Sequence, residues 1–357
     1  MTRLLFCLLA TCLFVSGTFA KPVEIVPPGL RGAVQPQLAT DANGRIHVVF
    51  GQDNAIFHTS AQGDEAFPAP VKIAELNKLA LKMRRGPRVT ATDQLVTVTA
   101  ISHGDGNLHA WTSADNGQTW KESAPLNTVS GSAREGLHSV AGDGRGVAVV
   151  VWLDLRGTGM EVRCRVSRDG GASWGEDTRV YESPDGHVCE CCVPNVAIGP
   201  RGEIAATWRN WLGGSRDLYL SLSQDGGRTF STAQKLGTGT WPLKGCPMDG
   251  GSVAFSAGGE WLAAWRRERT VFASTAQAPE RKLAENAAQS VVGFAGSIPL
   301  MLWESNGALM LQRANEKPVR FAETASAAAI ASGPASAVIV WESGAGTEKT
   351  LLLDRVR

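Results

Sequence analysis

Three short segments of this chain spell one pattern, and their spacing leaves few folds open. "SADNGQTW" begins at Ser113, "SRDGGASW" at Ser167 and "SQDGGRTF" at Ser223, 54 and 56 residues apart. A degenerate copy, "SAQGDEAF", begins at Ser60, 53 residues before the first. A period of this size marks a repeat architecture, in which one supersecondary unit stacks on the next. The residue types describe a tight hairpin. Ser and Asp side chains bond the turn's own backbone, Gly accepts positive φ, and the closing aromatic packs between sheets.

A second periodicity is independent of the first. Apolar runs end at Phe50, Trp152, Trp208, Trp265, Trp303 and Trp341, as in "VVVW" and "VIVW", and "VTVTA" ends at Ala100 in the matching place. Each follows a short strand and a Gly-containing turn, as in "PNVAIGPRGEIAATW", and precedes a third strand such as "RDLYLSLS". Runs this apolar are strands buried on both faces. Seven four-strand modules result, with inner strands starting near Pro36, Pro87, His138, Pro194, Gly251, Ser290 and Ala328. The last module, ending in "TLLLDRVR", lacks a fourth strand, and "VEIV" from Val23 can supply it, closing the ring and removing the open edge. Modules six and seven are short and lack the Ser/Asp/Gly turn, which keeps six blades as an alternative.

The Ser-x-Asp-x-Gly-x-x-Trp turn resembles the Asp box of the sialidase superfamily, the BNR-repeat β-propellers. The resemblance covers the chain from residue 21 to 357 and implies an all-β fold, a single β-propeller of sialidase type. It implies structural roles for Asp115, Asp169 and Asp225, because Asp boxes lie on the face away from that family's active site.

Residues 1–20 read as a secretory leader: Arg3 gives a positive start, Leu4 to Val15 are almost entirely apolar, and Thr18-Phe19-Ala20 is a small-residue cleavage site. Cleavage after Ala20 would export the remainder to a periplasmic or extracellular space, where disulfides persist. No later run approaches the ~20 apolar residues of a membrane span. The chain holds 35 basic and 34 acidic residues, and loss of Arg3 with the leader leaves the rest formally neutral. A neutral chain offers no electrostatic footprint for nucleic acid. Nothing in it fixes the oligomeric state.

Of seven cysteines, Cys7 and Cys12 fall in the leader. Cys164 alternates with Val162 and Val166 and reads as a buried free thiol. The other four gather in two connections, "GHVCECC" into the fourth inner strand and "GCPMDGG" into the fifth, so Cys189, Cys191 and Cys192 should face Cys246 near the mouth of the central channel. Two disulfides are one reading, with Cys191 or Cys192 bonded to Cys246 across the blades. A soft-metal site is the second, with the four thiolates, His187 and Met248 as ligands. Thiolate and thioether suit Cu(I), and thiolate with imidazole suits Zn²⁺. Thiol redox chemistry is the third.

The same face should gather Asp154, Arg156, Arg209 and Arg266 from the ends of second strands, and Arg85, Arg88 and His138 from strand starts. Paired arginines there could clamp the carboxylate or phosphate of a small anionic or glycan ligand. Resemblance to the sialidases implies three substrate-binding arginines, an Asp and a late Tyr nucleophile activated by Glu. Here the first module reads "VQPQL" in place of Arg-Ile-Pro, and no tyrosine follows Tyr219. The favoured expectation is therefore a non-hydrolytic exported propeller binding Cu, Zn or a small anion. The alternative is a glycoside hydrolase of the exo-α-sialidase type.

Overall fold

The computed structural model describes residues 21–357, and the leader expected at residues 1–20 lies outside them. Twenty-eight strands form seven four-stranded antiparallel sheets. The inner strands are Val34–Thr40, Arg88–Ala91, His138–Gly142, Asn195–Ile198, Ser252–Phe255, Ala288–Ala295 and Ser326–Ala331. Each packs on the next and the seventh on the first, so the seven sheets are the blades of a propeller. The six-blade alternative is thereby excluded. The inner strands surround a channel with a cavity of about 310 Å³.

Burial follows from blade stacking. The second strands Val96–Ile101, Ala148–Asp154 and Ile204–Arg209 are buried at every position, because each lies between two neighbouring sheets. Trp152, Trp208, Trp303 and Trp341, at the ends of second strands, are essentially without solvent contact. Cys164 is free and fully buried, pairing with Val151 and Thr178, and burial pushes its thiol up to about 12.

The repeated turns link third to fourth strands and dock on the preceding blade. In the first, Gly117 N–H donates to Ser113 Oγ at 2.8 Å, and Asp115 accepts from Thr119 N–H at 2.9 Å and Thr119 Oγ1 at 2.6 Å. The same bonds recur around Asp169 and Asp225. Gly117 sits at φ +90°, and a Cβ there would fall 2.1 Å from the His58 ring of the first blade. Gly171 repeats the arrangement against Thr97 of the second blade, at 2.2 Å. Glycine is required twice over, by φ and by space.

The ring closes with the N-terminal strand. Val23 pairs with Leu353 and Glu24 with Leu352, and Ile25 N–H donates to Leu351 O at 3.0 Å. Ile25 and Val26 are buried behind this seam. Removing residues 21–26 is expected to expose the edge of Thr350–Val356 and forfeit about 4 kcal/mol of side-chain burial. The expected result is a marked fall in Tm and a tendency to associate through the freed edge. An unchanged Tm by calorimetry would refute this closure.

A buried chain of Asp41, His47 and His58 backs the first of these docked turns. His47 Nδ1 lies 3.1 Å from His58 Nε2, His47 Nε2 lies 3.5 Å from Asp41 Oδ2, and His58 meets the edge of Trp120. Adjacent ring nitrogens at this distance need one donor and one acceptor, so at least one of the pair must be neutral. Burial lowers His47 to about 4 and His58 to about 3, and it lowers His138 as well. Between pH 6.5 and about 4 the unfolded chain binds more protons than the folded one, so stability falls as pH falls through that window. Melts from pH 7 to 4 should show this decline. The variant His47→Asn/His58→Asn, less stable at pH 7, should lose much of the slope; a wild-type Tm flat across the window contradicts the assignment.

Candidate functional site

Antiparallel blades place the starts of inner strands and the ends of second strands on one face, opposite the Ser/Asp/Gly turns. The cysteine loop is fixed there by backbone bonds. Residue His187 bridges Met160, Val188 bridges Asn210, and Cys189 N–H donates to Arg209 O at 2.8 Å. Cys192 N–H then returns to Cys189 O at 3.3 Å. This i to i+3 turn explains why two cysteines three positions apart meet.

The sulfurs converge. Cys189 Sγ lies 3.1 Å from Cys192 Sγ and 3.6 Å from Cys191 Sγ, and Cys191 lies 4.0 Å from Cys192. Cys191 is disulfide-bonded to Cys246, which joins the loop entering blade four to the loop entering blade five. Cys189 and Cys192 are free thiols. Met248 packs against the cluster formed by the three cysteines. Its loop is held by Arg266, which donates to Pro247 O at 2.7 Å, and by Gln289, which donates to Met248 O at 3.0 Å.

Cations border the thiols. Arg216 Nη1 lies 3.2 Å from Cys189 Sγ, and its guanidinium covers the Trp211 ring at 4.9 Å. The hydrogen bond with Cys192 lowers Cys189 to about 6 against the opposing effect of burial, helped by Arg216 and Arg209. Burial, and its role as partner to Cys189, push Cys192 well above the usual thiol range. The pair shares one easily lost proton. His187 turns elsewhere: its Nδ1 is 3.4 Å from Glu190 Oε1, its ring lies against Trp211, and it is not among the side chains whose ligand atoms gather at the sulfurs.

The residues considered for an anion clamp reach this face, but their donors are largely taken. Buried Arg209 donates to the carbonyls of Asp249, Arg216 and Arg266 at 2.9, 2.6 and 2.9 Å. Buried Arg88 donates to His138 O, Gly86 O, Pro87 O and Arg84 O. Arg85 donates to Glu135 O at 2.7 Å. Arg266 is 2.9 Å from Asp249 Oδ2, and Arg156 pairs with Asp154 at 2.8 Å and Asp177 at 2.7 Å. His138 Nε2 lies 3.0 Å from Thr99 Oγ1.

Two arginines escaped sequence reasoning. Arg84, at φ +65°, reaches across the channel mouth to Gln289 Oε1 at 2.5 Å and Ala328 O at 3.1 Å, beside Glu304 at 3.8 Å. Its only signal is its place before Arg85-Gly86-Pro87. Arg216 had a better one: Gly213-Gly214, both at positive φ, turn the chain back so that Leu212 bridges Ser215 and Arg216 returns beside the cysteine loop. A third repeated device is the residue after the second-strand tryptophan. Glu304 accepts from Ala327 N–H at 2.9 Å and Glu342 from Gln35 N–H at 2.8 Å, each clipping one blade to the next.

Among known proteins, the profile of the BNR repeat-like domain matches residues 87–242, which span blades two to four. No curated protein matches the chain in sequence. Among solved structures, the α-L-arabinofuranosidase of Fusarium graminearum has a TM-score of 0.54 at 13% identity, over 96% of this chain and 98% of that one. A sialidase of Streptococcus pneumoniae gives 0.55 at 9%, over 95% and 70%. The virginiamycin B lyase of Staphylococcus aureus gives 0.56 at 10%, over 94% and 98%. At such identities the likeness is one of fold, and these three differ in chemistry. Fold, repeated turns and profile agree: the chain is a seven-bladed β-propeller that carries BNR repeat-like sequence over residues 87–242 and is similar in fold to the sialidase-like propellers.

Proposed function

We propose that this propeller is exported, non-hydrolytic, and holds one soft metal ion, Cu(I) ahead of Zn²⁺, at the cysteine-bearing mouth. One observation carries the reading. Cys189 and Cys192 place two free sulfurs 3.1 Å apart in a buried site, with the Met248 side chain packed against the cysteine cluster. Two thiolates and a thioether form a soft, low-coordinate donor set, which suits Cu(I). Zn²⁺ requires four donors and would need the Cys191–Cys246 bond reduced. A dithiolate complex of Cu(I) carries a net negative charge, which Arg216 and Arg209 are placed to balance. The disulfide supports an oxidising compartment, and no helix among the described residues is long and apolar enough to cross a membrane.

Protein recovered from the secreting cell should begin at Lys21. Under anaerobic conditions with Cys191–Cys246 intact, it should bind about one Cu(I) per chain in competition with a chromophoric chelator. Cys192→Ser should abolish this binding. Arg216→Gln should weaken it roughly 10- to 100-fold, as loss of a second-layer partner does. Failure to bind copper, or equal binding by Cys192→Ser, would sink the proposal.

The hydrolase alternative lacks its nucleophile. Tyr219 lies in a third strand, stacked beside Trp208 and Tyr181, and burial raises its hydroxyl above the ordinary range. Turnover of a fluorogenic sialoside is expected to be absent from about pH 4 to 8. Robust turnover abolished by Tyr219→Phe would reverse this conclusion.

A further inference from the structure

The four sulfurs are ordered by depth. Cys246 is exposed, Cys191 is 9% exposed, and Cys189 and Cys192 are 0% and 1%. Each neighbours the next: Cys246 is bonded to Cys191, Cys191 lies 3.6 Å from Cys189, and Cys189 lies 3.1 Å from Cys192. A disulfide therefore sits at the outer end of a sulfur chain, and a dithiol at the inner end. Metal binding uses only the inner end.

We propose that this chain of sulfurs is a thiol–disulfide exchange relay, which delivers the two electrons of the buried Cys189/Cys192 dithiol to an external disulfide through the outer Cys191/Cys246 pair. In the first step the Cys189 sulfur, as thiolate, attacks Cys191 Sγ. A Cys189–Cys191 bond forms, the Cys191–Cys246 bond breaks, and Cys246 leaves as thiolate and takes up the proton Cys189 gave away. In the second step the Cys192 sulfur attacks Cys189 Sγ. A Cys189–Cys192 bond forms, Cys191 is released, and the proton of Cys192 passes to it. The exchange itself consumes no oxidant: the inner dithiol has become a disulfide and the outer disulfide a dithiol. An external disulfide R–S–S–R then restores Cys191–Cys246 and departs as two R–SH.

Exchange proceeds by thiolate attack on a disulfide sulfur, and it depends on access and on stabilisation of the attacking sulfur. The structure supplies both in the stated order. Arg216 touches Cys189, the sulfur that attacks first, and the turn that closes with Cys192 N–H on Cys189 O holds Cys192 against it. Cys246, the first leaving group, is the one exposed residue of the four. Cys164 lies buried in blade three, outside the chain of sulfurs.

The relay goes beyond the metal reading and needs no metal, so it is tested on the chelator-treated mature chain, residues 21–357. Native protein is treated with iodoacetamide, then unfolded in acid, and its disulfides and labels are mapped by peptide mass spectrometry. The expected product carries label on Cys191 and Cys246 and a new Cys189–Cys192 disulfide. With 5,5′-dithiobis(2-nitrobenzoate) in place of iodoacetamide, about two thiolates should be released per native chain, although both free cysteines of the cluster are buried. Cys192→Ser should stop after the first step, with label on Cys246 alone and a Cys189–Cys191 bond. Label on Cys189 or Cys192 with Cys191–Cys246 intact would overturn the relay. So would a native wild-type chain that takes no label until it unfolds, a result that does not depend on any variant folding. Copper binding without relay labelling would leave the metal reading standing alone.

Discussion

The cysteine site hangs from Arg209. Its side chain donates to three backbone carbonyls, those of Asp249, Arg216 and Arg266, and its own carbonyl accepts Cys189 N–H. One buried residue thereby ties the cysteine loop, the turn carrying Arg216, the end of a second strand and the entry to blade five. A guanidinium is suited to this because its donors form a rigid fork that an ammonium cannot copy. Loops packed against one another at the mouth carry carbonyls that no strand ladder satisfies, and leaving them unpaired in a buried place is costly. Arg88 solves the same problem at the junction of blades two and three, where it serves carbonyls alone.

That solution has an electrostatic consequence. Arg209 is buried with carbonyls in place of a carboxylate partner, so its charge is not cancelled by an ion pair. Arg216 adds a second cation at 3.2 Å from Cys189 Sγ. The neighbouring thiol pair therefore lies in a positive field, which favours a sulfur anion there. Elsewhere on the face the balance differs. Arg156 and Arg163 share Asp177, and Arg156 also holds Asp154, so blade three closes on itself as a neutralised network. Beside the cysteines, by contrast with blade three, positive charge is left to act on a neighbour.

Much of the fold was legible because its signals are periodic. The end of each second strand and the Ser/Asp/Gly turns locate the same blades, and Val23 opposite Leu353 completes the count. The convergence of Cys189, Cys191, Cys192 and Cys246 was legible for the same reason, since equivalent loops of adjacent blades meet. Which sulfur bonds to Cys246 was not. That depends on a single turn: with Cys192 N–H on Cys189 O, the first and last cysteines face each other and Cys191 is left to reach the next blade. The arginines resisted for a related reason. Spacing places Arg209 and Arg88 at the mouth, but only the packed loops decide whether their donors face a ligand or a carbonyl.

The metal and relay readings make competing demands on one pair of atoms. A bound Cu(I) needs Cys189 and Cys192 both reduced, and it occupies the lone pairs with which Cys189 would attack Cys191. The relay converts the same pair to a disulfide and moves the free thiols outward to Cys191 and Cys246 until an external disulfide joins them again. A loaded site is thus closed to exchange, and an exchanged inner pair no longer offers its thiolates to the metal. The Cys191–Cys246 bond is common to both: it clips blades four and five together, and it is also the acceptor for the first exchange step. Because the sulfurs of Cys189, Cys191 and Cys192 already stand within 4.0 Å of one another, exchange among them calls for side-chain rotation about a fixed turn. The rigid ring therefore confines the chemistry to four sulfur atoms, and the external thiol–disulfide balance decides which of the two states they hold.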